Sequence, residues 1–347
     1  MINLFDYDLS SLEQLLISMG EKKFRATQLF TWIYLKKVYG FEQMSDISKK
    51  FIEVLKEQFC LELPKVFIKQ ESKDGTIKFL VELKDSHKVE AVIMPYNYGN
   101  VLCVSSQVGC NMGCSFCASG LLGKQRNLDT SEMVAQVLLA NSMLEEKGKR
   151  ITHVVVMGTG EPFDNYDNVL KFVRILNNPK GFEIGARHIT VSTCGLPDKI
   201  RQYAHENLQI NLAISLHAAN NETRNKIMKI NKRYPIEEVM DAVRYYEKEA
   251  NRRVTFEYIL IEGLNDSKKD AIELAKLIKG CLAYVNIIPY NEVKENGYKR
   301  SKRIDEFHSE LTRLGVNATI RKEFGSDIDA ACGQLRAKQY EKERQEK

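Results

Sequence analysis

From residue 100 onward, short apolar and β-branched runs alternate with longer stretches whose apolar residues recur every three or four positions. The runs VLCVSSQV (101–108), HVVVMG (153–158), HITVSTC (188–194), INLAISLH (210–217), VTFEYILI (254–261) and YVNIIPY (284–290) predict strands. Between them, stretches such as SEMVAQVLLANSMLEE (131–146) and IEEVMDAVRYYEKEA (236–250) predict amphipathic helices. Alternation of this kind implies an α/β fold, a parallel sheet with right-handed crossovers. Six such units suit an open, partial (β/α)6 barrel better than a closed eight-fold one.

The chain ahead of this region is patterned differently. SSLEQLLISMG (10–20), with a capping-type start and a glycine stop, FRATQLFTWIYLKK (24–37) and ISKKFIEVLKEQF (47–59) predict helices. KVFIKQESKDGTIKFLVEL (65–83) reads as a hairpin around an Asp-Gly turn, and KVEAVIMPY (88–96) as a third strand. The expected organisation is an α+β accessory domain over 1–98, the barrel over 99–325, and a polar loop with a charged tail over 326–347.

Composition narrows the class. With 44% hydrophobic and 28% charged residues, the chain has the makings of a globular core. No apolar run reaches the length of a membrane span, and the acidic first residues do not resemble a signal peptide, so a reduced cytoplasm is expected. Eight cysteines in 347 residues are too sparse for a disulfide scaffold. A net charge of +5 only mildly favours an anionic partner.

In βα architectures chemistry collects where strands end. Here the first barrel strand runs into Cys110, Cys114 and Cys117, the second into GTGEP (158–162), the third into Ser192, the fourth into Ser215, Leu216 and His217, and the sixth into Asn291. Three cysteines spaced Cys-x3-Cys-x2-Cys suit a 4Fe-4S cubane that keeps one iron open. The alternative is a zinc site with a distant fourth ligand, although no second paired cysteine unit exists to complete it. Glycines in GTGEP permit close backbone approach, and Glu161 after Gly160 is placed to accept from an ammonium group. Cys60, Cys194 and Cys281 read as buried small hydrophobes. Cys332 differs, lying in the polar loop FGSDIDAACGQL, while Cys103 sits on the strand that feeds the three-cysteine loop.

The set CVSSQVGCNMGCSFCASG, VVVMGTGEP, ARHITVSTCG, AISLHA, INKRYPI, VNIIPYN and IRKEFGSDIDAACGQLRAK resembles the RlmN/Cfr family of radical S-adenosylmethionine (SAM) RNA methyltransferases, in order over some two thirds of the chain. The resemblance implies that SAM fills the open iron position and that Gly160, Glu161, Ser192, Ser215, Leu216, His217 and Asn291 bind it. It also implies that Cys332 takes a methyl group from one SAM, and that a 5′-deoxyadenosyl radical from a second SAM activates this methyl for addition to an adenine carbon. Cys103 would then attack Cys332, releasing the product through a transient disulfide. Glu90 would be the general base, although strand alternation alone reads it as a solvent-facing glutamate.

The implied substrates are 23S rRNA and tRNA at the adenine beside the anticodon, with an external electron donor, no membrane and a monomeric enzyme. Basic groups that could meet RNA occur in EKKFR, YLKK, SKK, GKQR, NKIMKINKR and GYKRSKR. Within the family one branch methylates adenine C2. The antibiotic-resistance branch methylates C8 and carries alanine after the glutamate, so Pro162 favours C2. The remaining alternatives are a non-catalytic, zinc-stabilised RNA-binding protein and a radical SAM enzyme with a small-molecule substrate.

Overall fold

Helices begin where a side-chain oxygen meets the first unpaired N–H groups. The structure, a computed structural model, describes residues 1–293 and 296–328; Cys332 and the charged tail lie outside the described residues. After a short strand, β1 (Ile2–Asn3), Asp8 accepts from Ser11 N at 2.8 Å and starts α1 (Leu9–Ser18). The serine pair expected at that start lies inside the first turn. α2 (Phe24–Phe30) runs on into a π-type turn, and Ser48 caps α3 (Lys49–Gln58). β2 (Phe59–Cys60) pairs with β1 and closes this helical unit.

β3 (Lys65–Glu71), β4 (Ile77–Glu82), β5 (Lys88–Tyr96) and β6 (Gly99–Cys103) then run antiparallel through successive hairpins. β7 (Gln107–Val108) and β8 (Arg126–Asn127) form a separate pair that brackets the three-cysteine loop. After α4 (Thr130–Glu145), β9 (Ile151–Val156) lies parallel to β6. The series continues as α5 (Tyr166–Asn177), β10 (Ile189–Thr193), α6 (Pro197–Tyr203), β11 (Asn211–Ser215), α7 (Asn221–Ile227), α8 (Ile236–Ala250) and β12 (Val254–Leu260). It ends with α9 (Lys268–Leu277), β13 (Ala283–Pro289), α10 (Ile304–Arg313) and a short β14 (Ala318–Ile320).

Strand order in the ten-stranded sheet follows the chain, from β14 through β13, β12, β11, β10, β9, β6, β5 and β4 to β3. The parallel part is the expected βα succession, β6 to β13, with β14 appended. Two details differ from the sequence pattern. VLCVSSQV is not one strand: beyond Cys103 the backbone turns to the neighbouring loop, with Ser106 N donating to Thr159 O and both amide groups of Ser105 bound by the Gln136 side chain. The sheet also runs unbroken through residues 98 and 99, because Tyr96 pairs with Gly99 and Val92 with Cys103.

That continuity decides which side chains face the barrel. Ile77, Phe79 and Val81 of β4 join the main apolar core. Val92, Met94, Val101 and Cys103 form a second cluster on the other face, with Phe324 against it. Both faces are therefore covered, and Lys78, Leu80 and Glu90 are buried rather than wet. No helix among the described residues is long and apolar enough to cross a membrane.

Candidate active site

The loop carrying Cys110, Cys114 and Cys117 is pinned from three sides. β7 and β8 tie its ends. Cys114 bridges Met228, and Ser115 N donates to Ile227 O at 2.9 Å. Ser115 Oγ lies 2.9 Å from the Tyr298 hydroxyl. All three thiols line one cavity at the barrel mouth, beside Met112 and Phe116. Burial pushes the Cys110 thiol up to about 12 and raises Cys114 well above its usual value. Such thiols ionise readily only on a cationic centre that displaces their protons.

Among the described residues, no three His, Cys, Asp or Glu side chains converge on a single ion site. A tetrahedral zinc needs its ligands around one point. A cubane binds each cysteine at a different iron, and three thiols of one short loop lining one cavity suit that arrangement.

Gly158 and Gly160 explain the glycines opposite. A Cβ on Gly158 would sit 2.7 Å from Val104 O, and one on Gly160 would sit 2.7 Å from Gln107 Cβ. Gly160 also has φ +115°, which side-chain-bearing residues rarely adopt. Gly160→Ala is therefore expected to cost about 3 kcal/mol from strain and overpacking. The expected readout is a lowered melting temperature for the apo-protein, and an unchanged melting curve would contradict this packing account.

Glu161, which follows, is buried and rigidly held. Its Oε1 accepts from Phe163 N at 3.0 Å and its Oε2 from Cys194 N at 2.8 Å. Burial raises its carboxyl above the ordinary range, so an ammonium partner in the cavity would favour the charged form.

The other strand-end residues divide. Ser192, Ser215, His217 and Asn291 line the same cavity, and Ser192 Oγ is 3.3 Å from Ser215 Oγ. Leu216 is fully buried; its N–H donates to Glu257 O, and its carbonyl accepts from Arg224. His217 takes a left-handed backbone (φ +58°) and its Nδ1 accepts from Ile259 N. Burial, with Arg224 nearby, drops its pKa to about 3, so the ring is neutral with its proton on Nε2.

Cys194 is buried and lines the cavity, whereas Cys60 and Cys281 are only half-buried, unlike the buried hydrophobes expected. Two buried charges, Arg224 beside the site and Glu257 in the cavity wall, were not among the expected site residues. Arg224 is fully buried and binds Leu216 O, Asn231 Oδ1 and Cys194 O at 3.1, 2.8 and 2.5 Å, tying the ends of β10 and β11 to the turn after α7. Glu257 of β12 lines the cavity and accepts from Asn286 Nδ2 at 2.8 Å. No local pattern marks either residue, although a glutamate inside the apolar run VTFEYILI is a weak signal.

Glu90 and Cys103 approach from the other wall. Glu90 shares its face of β5 with Val92 and Met94, which line the cavity, and Cys103 lies directly opposite Val92. Glu90 is thus not the solvent-facing glutamate of the alternation pattern. The chain leading towards Cys332 is anchored near this wall. Phe324 packs on Tyr96 at 4.5 Å, Gly325 N donates to Asp74 Oδ2 at 2.8 Å, and Asp327 accepts from the Ser72 hydroxyl.

Several basic groups are already matched internally. Arg126 of GKQR forks onto Glu132 and also binds Asp85; Lys124 meets Asp164. Arg300 of GYKRSKR forks onto Glu323, and Lys37 of YLKK pairs with Glu145. These pairs weaken the case for GKQR as a phosphate contact.

Residues 104–275 match the family model described as the Radical SAM superfamily, whose cofactors are SAM and a 4Fe-4S cluster. Residues 2–61 match the Ribosomal RNA large subunit methyltransferase N-terminal domain. The chain is 57% identical to a probable dual-specificity RNA methyltransferase RlmN of Spiroplasma citri, across 97% of this chain and 98% of that one. It is 52% identical to the corresponding protein of Acholeplasma laidlawii, across 96% and 98%. A solved radical SAM methyltransferase from Sphaerobacter thermophilus superposes with a TM-score of 0.89 at 43% identity, covering 97% of this chain and all of that one. The three-thiol loop at a barrel mouth and these full-length likenesses agree: the chain belongs to the RlmN family of radical SAM RNA methyltransferases.

Proposed function

We propose that this enzyme methylates C2 of adenine in 23S rRNA and in tRNA beside the anticodon. Supporting this reading is one feature above all: the three thiols, Glu161 and the β5 residues Val92 and Met94, on the face shared by Glu90 and opposite Cys103, line a single cavity. Cys110, Cys114 and Cys117 would hold the 4Fe-4S cluster. Gly160, Glu161, Ser192, Ser215, Leu216, His217 and Asn291 would hold SAM. When bound, the cluster and SAM supply the reductive radical chemistry that an unreactive aromatic carbon requires.

The chain's own residues do the rest. Cys332 carries the methyl group to the base. Glu90 removes the ring proton after the carbon–carbon bond has formed. Once the unpaired electron of the adduct has been given up to the redox centre, Cys103 attacks the sulfur of Cys332; a disulfide forms as the sulfur–carbon bond breaks, and the freed carbon takes up a proton to become the methyl group. An external donor reduces that disulfide for the next turnover. Residues 1–98 would serve RNA binding, 99–325 the radical chemistry and 326–347 methyl carriage, in a cytoplasmic monomer. Pro162 after Glu161 favours C2 over C8.

Each methylation should consume two SAM molecules, giving one S-adenosylhomocysteine and one 5′-deoxyadenosine. Anaerobic turnover with unmodified 23S rRNA or tRNA measures this ratio. S-adenosylhomocysteine without 5′-deoxyadenosine would contradict the scheme. A separate expectation concerns Glu90→Gln, which keeps size and hydrogen bonding but removes basicity. It should bind RNA, slow methylation by about 100-fold or more, and leave protein covalently joined to RNA on a denaturing gel.

A further inference from the structure

A fully buried ammonium faces the carboxylate assigned as the base. Lys78 Nζ lies 3.2 Å from Glu90 Oε2, with side-chain exposures of 0% and 2%. The two belong to neighbouring antiparallel strands: Lys78 lies opposite Val92, and Leu80 lies opposite Glu90. Lys78 therefore reaches Glu90 diagonally, on the face that Glu90 shares with the cavity-lining Val92 and Met94. In TIKFLVEL its alternation with Ile77 and Phe79 reads as a solvent-facing lysine, yet that face is covered.

Burying two charges is expensive, and apolar residues of similar volume often serve a fold equally well. A stability role is thus a weak explanation for the pair. A chemical role is stronger. A base must meet its proton at a set place, and an ammonium 3.2 Å away fixes a carboxylate that would otherwise turn about its own bonds. We propose that Lys78 is a positioning residue for methyl transfer, fixing the Glu90 carboxylate in the orientation that meets the target base. This rests on the reading of Glu90 as the base. The ring proton passes to Glu90.

The test compares Lys78→Met, Lys78→Arg, Glu90→Gln and the Lys78→Met/Glu90→Gln double variant. All are full-length and anaerobically reconstituted. Iron content, melting temperature, single-turnover methylation and covalent RNA adduct are measured for each. Lys78→Met should keep its iron, methylate about 100-fold more slowly and accumulate the adduct as Glu90→Gln does. Lys78→Arg, which keeps the charge, should recover to within about tenfold of wild type. The double variant should be no slower than Glu90→Gln alone, since Lys78 acts through Glu90.

A Lys78→Met enzyme at wild-type rate, beside a stalled Glu90→Gln, overturns the role of Lys78 and leaves Glu90 standing. Slow Lys78→Met without adduct, or a double variant slower than Glu90→Gln, makes Lys78 merely structural and also overturns it. Full methylation by Glu90→Gln instead overturns the reading of Glu90 itself. If Lys78→Met alone fails to fold, comparing the double variant, which has lost both charges, with Glu90→Gln decides the matter.

Discussion

Alanine at any one of Cys110, Cys114 or Cys117 is expected to lower bound iron to about a tenth of wild type or less, and to abolish methylation. On the proposed assignment the cluster would have three cysteine ligands to lose, with its fourth iron left for SAM. Two remaining thiols leave two irons without protein ligands, so the cluster is not retained. The loop itself should survive the change. β7–β8 pairing, the Cys114–Met228 bridge and the Ser115 bonds are backbone or hydroxyl contacts that do not involve the thiols. The apo-protein should therefore melt close to wild type while iron and sulfide analysis, with the absorption spectrum, shows the loss. Stoichiometric zinc without iron in the anaerobically reconstituted wild type would contradict the assignment.

The second large effect separates two cysteines at opposite ends of one step. Cys332→Ala is expected to lower methylation by about 10³-fold or more, since it removes the proposed methyl carrier. Iron and SAM binding should be unchanged. Cys103→Ala should also stop turnover, but one step later, with protein and RNA joined through Cys332 because the resolving thiol is gone. Cys103 lies on the inner wall among Val92, Met94, Val101 and Phe324. The chain after Phe324 is tied to the β3–β4 turn through Asp74 and Ser72. A denaturing gel distinguishes the outcomes: adduct for Cys103→Ala and none for Cys332→Ala. Full activity without adduct for Cys103→Ala would remove it from the mechanism.

Much of the barrel was legible because its periodicities are local. KVEAVIMPY coincides with β5, and IEEVMDAVRYYEKEA with α8. The three-cysteine loop and GTGEP were readable because ligand spacing and glycine conformation are also local properties. What failed depended on neighbours distant in sequence. VLCVSSQV broke after Cys103 because Gln136 and Thr159 capture the backbone of Ser105 and Ser106. Glu90 looked solvent-facing because a hairpin normally has one wet face, and the sheet's continuation into the barrel covers both. Arg224 reads as a surface base in a helix, yet its partners Leu216 and Cys194 lie 8 and 30 positions away.

The position of the new methyl group tests the account most directly. Unmodified 23S rRNA is treated with the anaerobically reconstituted wild-type protein, SAM and a reductant, then digested to nucleosides and separated by liquid chromatography with mass spectrometry. The account predicts 2-methyladenosine at one adenine, dependent on both Cys332 and Glu90. Recovery of 8-methyladenosine instead would contradict the C2 assignment drawn from Pro162, and no methylated adenosine of either kind would contradict the proposed reaction.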